Sequence, residues 1–358
     1  MMNIHLKWIK SFFITVLAAS LSIVMFNYSI DSFNLFSQSN SNLAKDLQNG
    51  YYITGENIDS NRVDNIYEPL IRNIKELDLL AIGSSRTMLL HKDTLFGKKH
   101  INYYNFTDGT ARLRHYAKIF GLLNRYNIKF PHTVILGLDP WVFDEKASIG
   151  QIKQLLNNPK FSSSNYLQLF NYEYTKVNIL SLINNINYIK STKLDDLKKG
   201  KNIIIAPSGD LYNPSHNNSI ALDKLLKKVK HTLKECDKKN SNTKCVKYSK
   251  LNNFKEVKYL FNYLKNRGVN IIVYLAPFEP TFYQHIVKYN NFTKYNSDIL
   301  EFLSKNNIEI IGSYNPADLN LTSSYFLDSV HPNENAVKQI FNKNKDLFPK
   351  WGLTPIKE

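Results

Sequence analysis

Residues 77–87 read LDLLAIGSSRT, an apolar run that ends in a glycine, two serines and an arginine. A short apolar run bounded by glycine predicts a buried strand, and the serines then fall on the turn from that strand into a helix. A serine in such a turn faces solvent at the carboxyl end of the strand, beside the free N–H groups of a helix N-terminus. Taken alone, the segment favours ordinary turn and capping chemistry over catalysis, because Gly-Ser-Ser is common in turns and at helix N-caps.

Four further apolar runs predict strands, and helical periodicity separates them. The strands are expected at 103–106, 133–138, 270–275 and 308–311, and the helices at 111–126, 252–266, 295–306 and 334–344. Strands that alternate with helices predict an α/β fold with a parallel sheet and right-handed crossovers. Ligands of such sheets bind outside the carboxyl ends of the strands, so the loops that follow the strands are the places to look for chemistry.

The N-terminus carries an apolar run of a different kind. Residues 11–26, SFFITVLAASLSIVMF, have no charge and are preceded by Lys7 and Lys10. With uncharged neighbours the run reaches about 20 residues, just enough to cross a hydrocarbon core of roughly 30 Å as a helix. Its small residues lie inside the run rather than after it, which favours an uncleaved anchor over a cleaved signal peptide. Lysines precede the run and mostly acids follow it, so the C-terminal bulk is expected outside the cytoplasm.

The rest of the chain divides into a linker and one interrupted domain. We expect an anchor at 1–28, a stalk rich in Asn, Ser and Asp at 29–65, and the α/β domain at 66–358. Between about 145 and 250 the domain is interrupted by a segment far longer than an ordinary crossover. Helical stretches at 166–189 and 221–233 predict a mainly helical insertion, with a loop at 210–217.

Composition narrows the classes of function. The chain has 358 residues, with 46 Lys and Arg against 30 Asp and Glu, and residues 223–250 alone hold ten lysines against three acids. That segment is either a solvated helical face or a surface attracted to anionic headgroups or an acidic polymer. Core-like spacing of the aromatic residues and the lack of a recognition motif argue against nucleic acid. No metal site or cofactor is predicted from the scattered histidines. Cys236 and Cys245 could close a disulfide loop in an oxidising compartment.

A second motif lies near the C-terminus. FLDSVHPNENA, residues 326–336, places Asp328 and His331 three residues apart just before a predicted helix. Residues at this spacing can face each other across a turn, so the carboxylate could hold the imidazole tautomer that takes a proton from a serine. The alternative is an aspartate that caps the helix, with a surface histidine beside Pro332.

Together the two motifs resemble the SGNH (GDSL-like) hydrolase and acyltransferase superfamily, over roughly residues 75–140 and 268–345. The resemblance implies a three-layer α/β/α fold in which Ser85 is the nucleophile, His331 the base and Asp328 its orienter. Gly109, in NFTDGTAR after the second strand, matches the oxyanion glycine of the family. Asp139, in GLDPW after the third strand, falls where the family has an oxyanion-hole asparagine.

Asp139 is the departure that bears on catalysis. An ionised carboxylate accepts hydrogen bonds rather than donating them, and loss of one oxyanion donor typically costs roughly 3 to 4 kcal/mol of transition-state stabilisation. One hypothesis is that Asp139 pairs with Arg86 and positions it as the electrostatic donor. Glu279, in LAPFEP after the fourth strand, lies on the same edge, where capping the next helix is favoured over contact with substrate.

The Gly-Ser-Ser-Arg and Gly-x-Asp-Pro motifs, with a single N-terminal anchor, look most like the membrane-anchored, extracytoplasmic members of the superfamily. Those relatives include a D-alanyl-transfer protein of teichoic acid modification and O-acetyltransferases of peptidoglycan and exopolysaccharide. The resemblance implies a single-pass protein of the cytoplasmic membrane, with its domain periplasmic or at the cell surface. It implies a serine-dependent O-acyltransferase that acts on an envelope glycan or related polymer, with a multipass membrane O-acyltransferase as donor partner. An envelope esterase and a non-catalytic SGNH-like scaffold of an assembly complex stay open as alternatives.

Overall fold

A computed structural model describes residues 2–31, 45–54, 67–68, 70–96, 101–109, 111–143, 147–159, 167, 169–184, 190–193, 204–212, 221–237, 254–289 and 292–351. Its strands are β1 (Tyr52–Thr54), β2 (Leu79–Gly83), β3 (Tyr103–Thr107), β4 (Thr133–Gly137), β5 (Lys190–Thr192), β6 (Ile204–Ile205), β7 (Leu211–Tyr212), β8 (Asn270–Leu275) and β9 (Glu309–Gly312). Its helices are α1 (Met2–Ile30), α2 (Lys92–Phe96), α3 (Leu113–Arg125), α4 (Ile149–Asn157), α5 (Tyr172–Asn184), α6 (Leu222–Asp237), α7 (Phe254–Lys265), α8 (Pro280–Tyr289), α9 (Phe292–Lys305) and α10 (Glu334–Asn342).

The centre of the domain is a parallel sheet, which has five strands in the described part of the chain, in the order β3-β2-β4-β8-β9. Right-handed crossovers put the connection from β2 to β3 on one face, and the connections from β3 to β4, β8 and β9 on the other. Helix α10 packs on α2, while α3, α4 and α7 pack on one another, so helices cover both faces. The domain is therefore mixed α/β in class, with its parallel sheet between two helical layers.

Strands β2 and β4 are adjacent, and the chain leaves them towards opposite faces of the sheet. Every residue of both strands is buried, which explains why their sequences are continuous apolar runs rather than alternating ones. In such sheets the crevice at the carboxyl ends of strands that diverge in this way is the usual ligand position. This crevice lies beside Gly83 and Gly137, the first residues of the GSSR and GLDPW motifs.

The five predicted strands of the parallel sheet are confirmed, with ends shifted by at most two residues. The predicted helices at 111–126, 252–266, 295–306 and 334–344 correspond to α3, α7, α9 and α10. Helix α8 is an addition. Its sequence follows the prolines of LAPFEP, which suggest a loop, but Pro280 occupies a first-turn position that needs no N–H.

The predicted stalk, residues 29–65, is described at 29–31 and 45–54, where it packs rather than extends. Leu47 and Ile53 are fully buried, and β1 pairs antiparallel with β5 and β6 of the insertion. With β7 these strands form a small second sheet in the described residues, of order β5-β1-β6-β7. The predicted loop at 210–217 contains β7, and its residues 213–217 lie outside the described part. Strands of two or three residues leave no readable periodicity, so sequence patterns do not reveal this sheet.

The described parts of the insertion are otherwise helical, as predicted, with α4, α5 and α6. On α6 the lysine side chains are exposed while Leu225 and Val229 are buried. Cys236, at the end of α6, is disulfide-bonded. Cys245, the only other cysteine in the sequence, lies outside the described residues.

Helix α1 is long and apolar enough to cross a membrane. Within its stretch from His5 to Ile30, a window of 18 residues has a mean hydropathy of 2.0, and none of that window is buried in the protein. The predicted anchor thus has the length and composition it needs. The side of the membrane on which the domain lies stays a prediction.

Candidate active site

The turn after β2 presents one residue to solvent. Among residues 79–91, all of which are described, Ser85 alone is not buried. The turn is closed by Thr87, whose backbone N–H and Oγ1 both donate to the Ser84 carbonyl, at 2.8 and 2.7 Å. A Cβ on Gly83 or Gly137 would overlap the Thr87 side chain, so both glycines are needed for this packing. Turns rather than a regular helix follow Ser85, because α2 begins only at Lys92.

Ser85, His331 and Asp328, predicted as a triad, lie together. Ser85 Oγ is 2.8 Å from His331 Nε2, and His331 Nδ1 is 2.8 Å from Asp328 Oδ2. Asp328 Oδ1 also accepts the backbone N–H groups of Val330 and His331, at 2.8 and 3.0 Å. These three hydrogen bonds hold the carboxylate in an orientation in which Nδ1 of the ring is the donor and Nε2 is left to accept the serine proton.

The loop that carries Asp328 and His331 is closed by backbone hydrogen bonds. Leu327 N donates to the His331 carbonyl at 2.9 Å, and Asn333 N donates to the Tyr325 carbonyl at 2.8 Å. The Asn333 side chain then caps α10 by accepting from Ala336 N at 3.1 Å. The capping residue of this helix is therefore Asn333 rather than Asp328, which leaves the aspartate free to hold the histidine.

Arg86, beside Ser85, holds together three loops at the carboxyl edge of the sheet. It is 1% exposed and donates from Nη1 to Asp139 Oδ1 at 2.8 Å, from Nε to the Val330 carbonyl at 2.9 Å, and from Nη2 to the Pro277 carbonyl at 2.9 Å. A further hydrogen bond runs from Nη2 to the Ala276 carbonyl. The guanidinium lies 4.0 Å from the centroid of the Phe278 ring. Arg86 thus fixes the turn of Ser85 and the loop of Val330 against the segments that follow β4 and β8.

Asp139 pairs with Arg86, as the sequence hypothesis required, but the pair is turned into the protein. The carboxylate is 2% exposed, and its second oxygen accepts a hydrogen bond from the Ser84 hydroxyl. Burial raises the pKa of Asp139 above its ordinary value, and the Arg86 guanidinium acts in the opposite direction. Since four donors of Arg86 bind protein acceptors, the geometry favours a positioning role over the predicted role of electrostatic donor. Sequence patterns missed this role because three of its acceptors are backbone carbonyls.

Gly109 and Glu279 lie at the same edge with different roles. Asp108 N donates to the Gly83 carbonyl at 3.0 Å, so exposed Gly109 directly follows a residue bonded to the end of β2. The predicted helix cap by Glu279 is confirmed, since its Oε2 accepts from Phe282 N at 2.9 Å. Glu279 is fully buried, and its backbone N–H donates to the Ser329 carbonyl at 3.1 Å. Glu279 therefore also holds the loop that carries Asp328 and His331.

A separate cavity of about 280 Å³ lies beyond the edge strand β3, near the amino end of that strand. Its lining includes Tyr52, Lys92, Tyr104 and Asp210. Asp210 Oδ2 accepts from Ser208 Oγ at 2.5 Å, whereas Oδ1 is buried without a hydrogen-bond partner among the described residues. Burial raises the pKa of Asp210 to about 7, against the opposing effect of the Ser208 hydroxyl. No motif in the sequence predicts that Asp210 is buried.

The arrangement at the crevice can activate a hydroxyl for attack on an acyl carbon, since nucleophile, base and orienting carboxylate are within hydrogen-bond distance of one another. Within the described residues, no cluster of His, Cys, Asp or Glu has a geometry that could hold a metal ion. Comparison with known proteins finds no matching family model, no similar curated protein and no similar solved structure.

Proposed function

We propose that this chain is a membrane-anchored, serine-dependent O-acyltransferase. The observation that carries the proposal is the hydrogen-bonded series Asp328–His331–Ser85, with both side-chain contacts at 2.8 Å. The serine and the histidine are 246 residues apart in sequence, yet they meet at the sheet edge where ligands of α/β proteins bind. A purely structural role would not require Ser85 to be the one partly exposed residue of the segment 79–91.

In the proposed reaction Ser85 Oγ attacks the carbonyl carbon of an ester or thioester donor, and its proton passes to His331 Nε2. His331 then gives that proton to the leaving alcohol or thiol as the bond from the acyl carbon to it breaks. An acceptor hydroxyl next loses its proton to His331 and attacks the acyl carbon of the acyl-serine. The bond from that carbon to Ser85 Oγ then breaks, and His331 returns the proton to Oγ, which regenerates Ser85 and leaves the acyl group on the acceptor. Asp328 stabilises the imidazolium formed in both halves.

The oxyanion in each half is assigned to the backbone N–H groups of Ser85 and Gly109. The Asp139 side chain is not included, because its two oxygens accept from Ser84 and Arg86 and an ionised carboxylate has no donor. Two backbone donors in a site held by Arg86 are the electrostatic contribution we propose here.

The identity of donor and acceptor rests on the sequence resemblance. By that resemblance the acceptor is a hydroxyl of an envelope glycan or related polymer, and a multipass membrane O-acyltransferase supplies the acyl group. Lys7 and Lys10, which precede the apolar run of α1, favour a domain on the extracytoplasmic side. An esterase would use the same three residues with water as acceptor, so products rather than geometry separate the two activities.

A non-catalytic scaffold is the second candidate, and one observation favours it. Asp139 replaces the family's side-chain oxyanion donor and is occupied by Arg86. A scaffold of this kind would keep its cellular phenotype after Ser85→Ala, whereas an acyltransferase would lose it.

Labelling with a fluorophosphonate tests the proposal directly. We expect the intact mass of the solubilised chain to rise by one adduct, located on Ser85. Ser85→Ala and His331→Ala should prevent labelling, while Ser324→Ala, an exposed serine in the loop before Asp328, should not change it. Absence of an adduct on Ser85, under conditions that label a control serine esterase, would count against an activated nucleophile. Subsequent release of a natural acyl group to water or to a polymer hydroxyl would distinguish esterase from transferase.

A further inference from the structure

Helix α5 of the insertion packs against the domain-side end of the membrane helix α1. Asn27 donates from Nδ2 to Thr175 Oγ1 at 2.8 Å and accepts from Asn178 Nδ2 at 3.0 Å. One turn further along α1, Asp31 Oδ1 accepts from the hydroxyl of Tyr174 at 2.7 Å. Contacts that advance along α1 while they go back along α5 mean that the two helices run antiparallel. The C-terminal half of α5 therefore extends along α1 towards its apolar centre.

The two faces of α5 differ in what they contact. The face towards α1 is formed by buried or half-buried residues at helical spacing, namely Tyr174, Thr175, Val177, Asn178 and Ser181. The other side exposes large apolar side chains, with Leu182 at 58% and Ile183 at 70% exposure, alongside Ile179 and Leu180. Four exposed large apolar side chains on one short helix indicate an interaction surface.

Helix α5 becomes less polar towards its C-terminus, which is the end that lies nearer the centre of α1. Its only charged residues, Glu173 and Lys176, lie in the first half and form an ion pair at 4.0 Å. Residues 177–183, VNILSLI, carry no charge. From Asn178, level with Asn27, to Ile183 the helix advances about 7 Å, the depth to which interfacial helices bury their apolar face.

Aromatic side chains mark the level of the membrane surface on both helices. Tyr28, next to Asn27 on α1, and Tyr172, at the start of α5, are both exposed, at 57% and 75%. Tyrosine collects at the boundary between headgroups and hydrocarbon, where its ring is apolar and its hydroxyl is hydrated. The side chains of Asn27 and Asn178 are fully buried between the helices, which satisfies polar groups at a depth where little water is present.

We propose that α5 enters the bilayer leaflet on the domain's side beside α1, with its C-terminal end deeper and its exposed apolar row in contact with lipid. The domain is then attached to the membrane at two points. This proposal uses the anchor α1 but not the acyl-transfer activity. Its occupant is lipid because the row continues the apolar surface of a helix long enough to span the membrane.

Spin-label accessibility in the full chain tests the proposal, in vesicles of phosphatidylcholine and phosphatidylglycerol. Single substitutions Ile183→Cys and Tyr172→Cys report on the two ends of α5. Leu17→Cys reports on the middle of α1, and Leu300→Cys on an exposed apolar position of α9 in the domain. The unsubstituted chain gives the labelling background. For each label, collision rates with oxygen, which partitions into lipid, are compared with those of a water-soluble nickel chelate.

We expect the ratio of oxygen to nickel collision rates to be several-fold higher at positions 183 and 17 than at 300, with 172 between them. An aqueous ratio at 183 combined with a lipid ratio at 17 would overturn the proposal and leave the anchor in place. An aqueous ratio at both would overturn the anchor as well. Equal ratios at 172 and 183 would refute the inclined orientation of α5.

Discussion

Replacing Asp139 with asparagine tests whether this side chain positions Arg86 or lies in the oxyanion site. The carboxylate and the guanidinium are both almost fully buried and are 2.8 Å apart. Removal of one partner from such a pair typically costs 3 to 5 kcal/mol, because the other charge is left buried. Arg86 keeps its carbonyl acceptors at Val330, Ala276 and Pro277, and asparagine still offers one oxygen. We therefore expect a loss near the lower limit, about 3 kcal/mol.

The assay is thermal unfolding of the detergent-solubilised full chain, with the rate of fluorophosphonate labelling measured in parallel. With an unfolding entropy of about 2.1 cal/mol/K per residue, a loss of about 3 kcal/mol corresponds to a fall in the midpoint of roughly 5 °C for a domain of about 290 residues. Labelling of Ser85 should not become faster. Asp298→Asn, which makes the same chemical change in the exposed pair with Lys294, is the control and should cost under about 1 kcal/mol.

The opposite pattern would refute the reasoning. If asparagine at 139 left the midpoint unchanged and accelerated labelling by about 100-fold, it would be acting as an added oxyanion donor. Asp139 would then face the reacting carbonyl, and Arg86 would not be the element that holds the loops together.

Three further changes probe other parts of the molecule. Burial raises the pKa of Asp210 to about 7, so the folded state binds the proton of this carboxyl more tightly than the unfolded state does. Its contribution to the free energy of unfolding is therefore complete below about pH 4 and is lost as the pH rises towards 7. Asp210→Asn should match the native chain in urea unfolding at pH 4 and exceed it by up to about 4 kcal/mol at pH 8, and a gain that is the same at both pH values would contradict this. Gly137→Ala should slow labelling of Ser85, because the new Cβ displaces Thr87 from the turn, and unchanged labelling would show that the turn tolerates the shift. Asp328→Asn should lower the labelling rate by orders of magnitude with little change in thermal midpoint, since the wrong histidine tautomer is favoured, and an unaffected rate would remove Asp328 from the relay.

The centre of the parallel sheet could be predicted because β2, β4 and β8 are nearly continuous apolar runs, which strands buried on both faces require. The small sheet could not, since β6 and β7 have two residues each and β1 has three. Leu47 and Ile53 are isolated apolar residues in a polar segment, and only tertiary contacts reveal that they are buried. The polar composition that predicts a stalk at 29–65 gives no indication of this packing.

The predictability of the site follows a similar division. Ser85, Asp328 and His331 could be identified because each lies in a short motif whose spacing has a chemical meaning. The role of Arg86 depends on carbonyls of Val330, Ala276 and Pro277, and any residue type supplies a carbonyl. A contact of this kind leaves no trace in the sequence of its acceptors.

Attachment of the domain at two points would change the encounter between Ser85 and a membrane-bound donor. A single helix followed by a free stalk leaves a domain able to rotate and to move away from the surface, which lowers the effective concentration of its site there. Insertion of α5 removes most of that freedom without a new catalytic group. Substitutions at Leu182 and Ile183 that weaken lipid contact should then reduce acyl transfer from a membrane-bound donor while leaving fluorophosphonate labelling of Ser85 unchanged. Equal effects on both reactions would mean that these side chains support the fold rather than the position of the domain on the membrane.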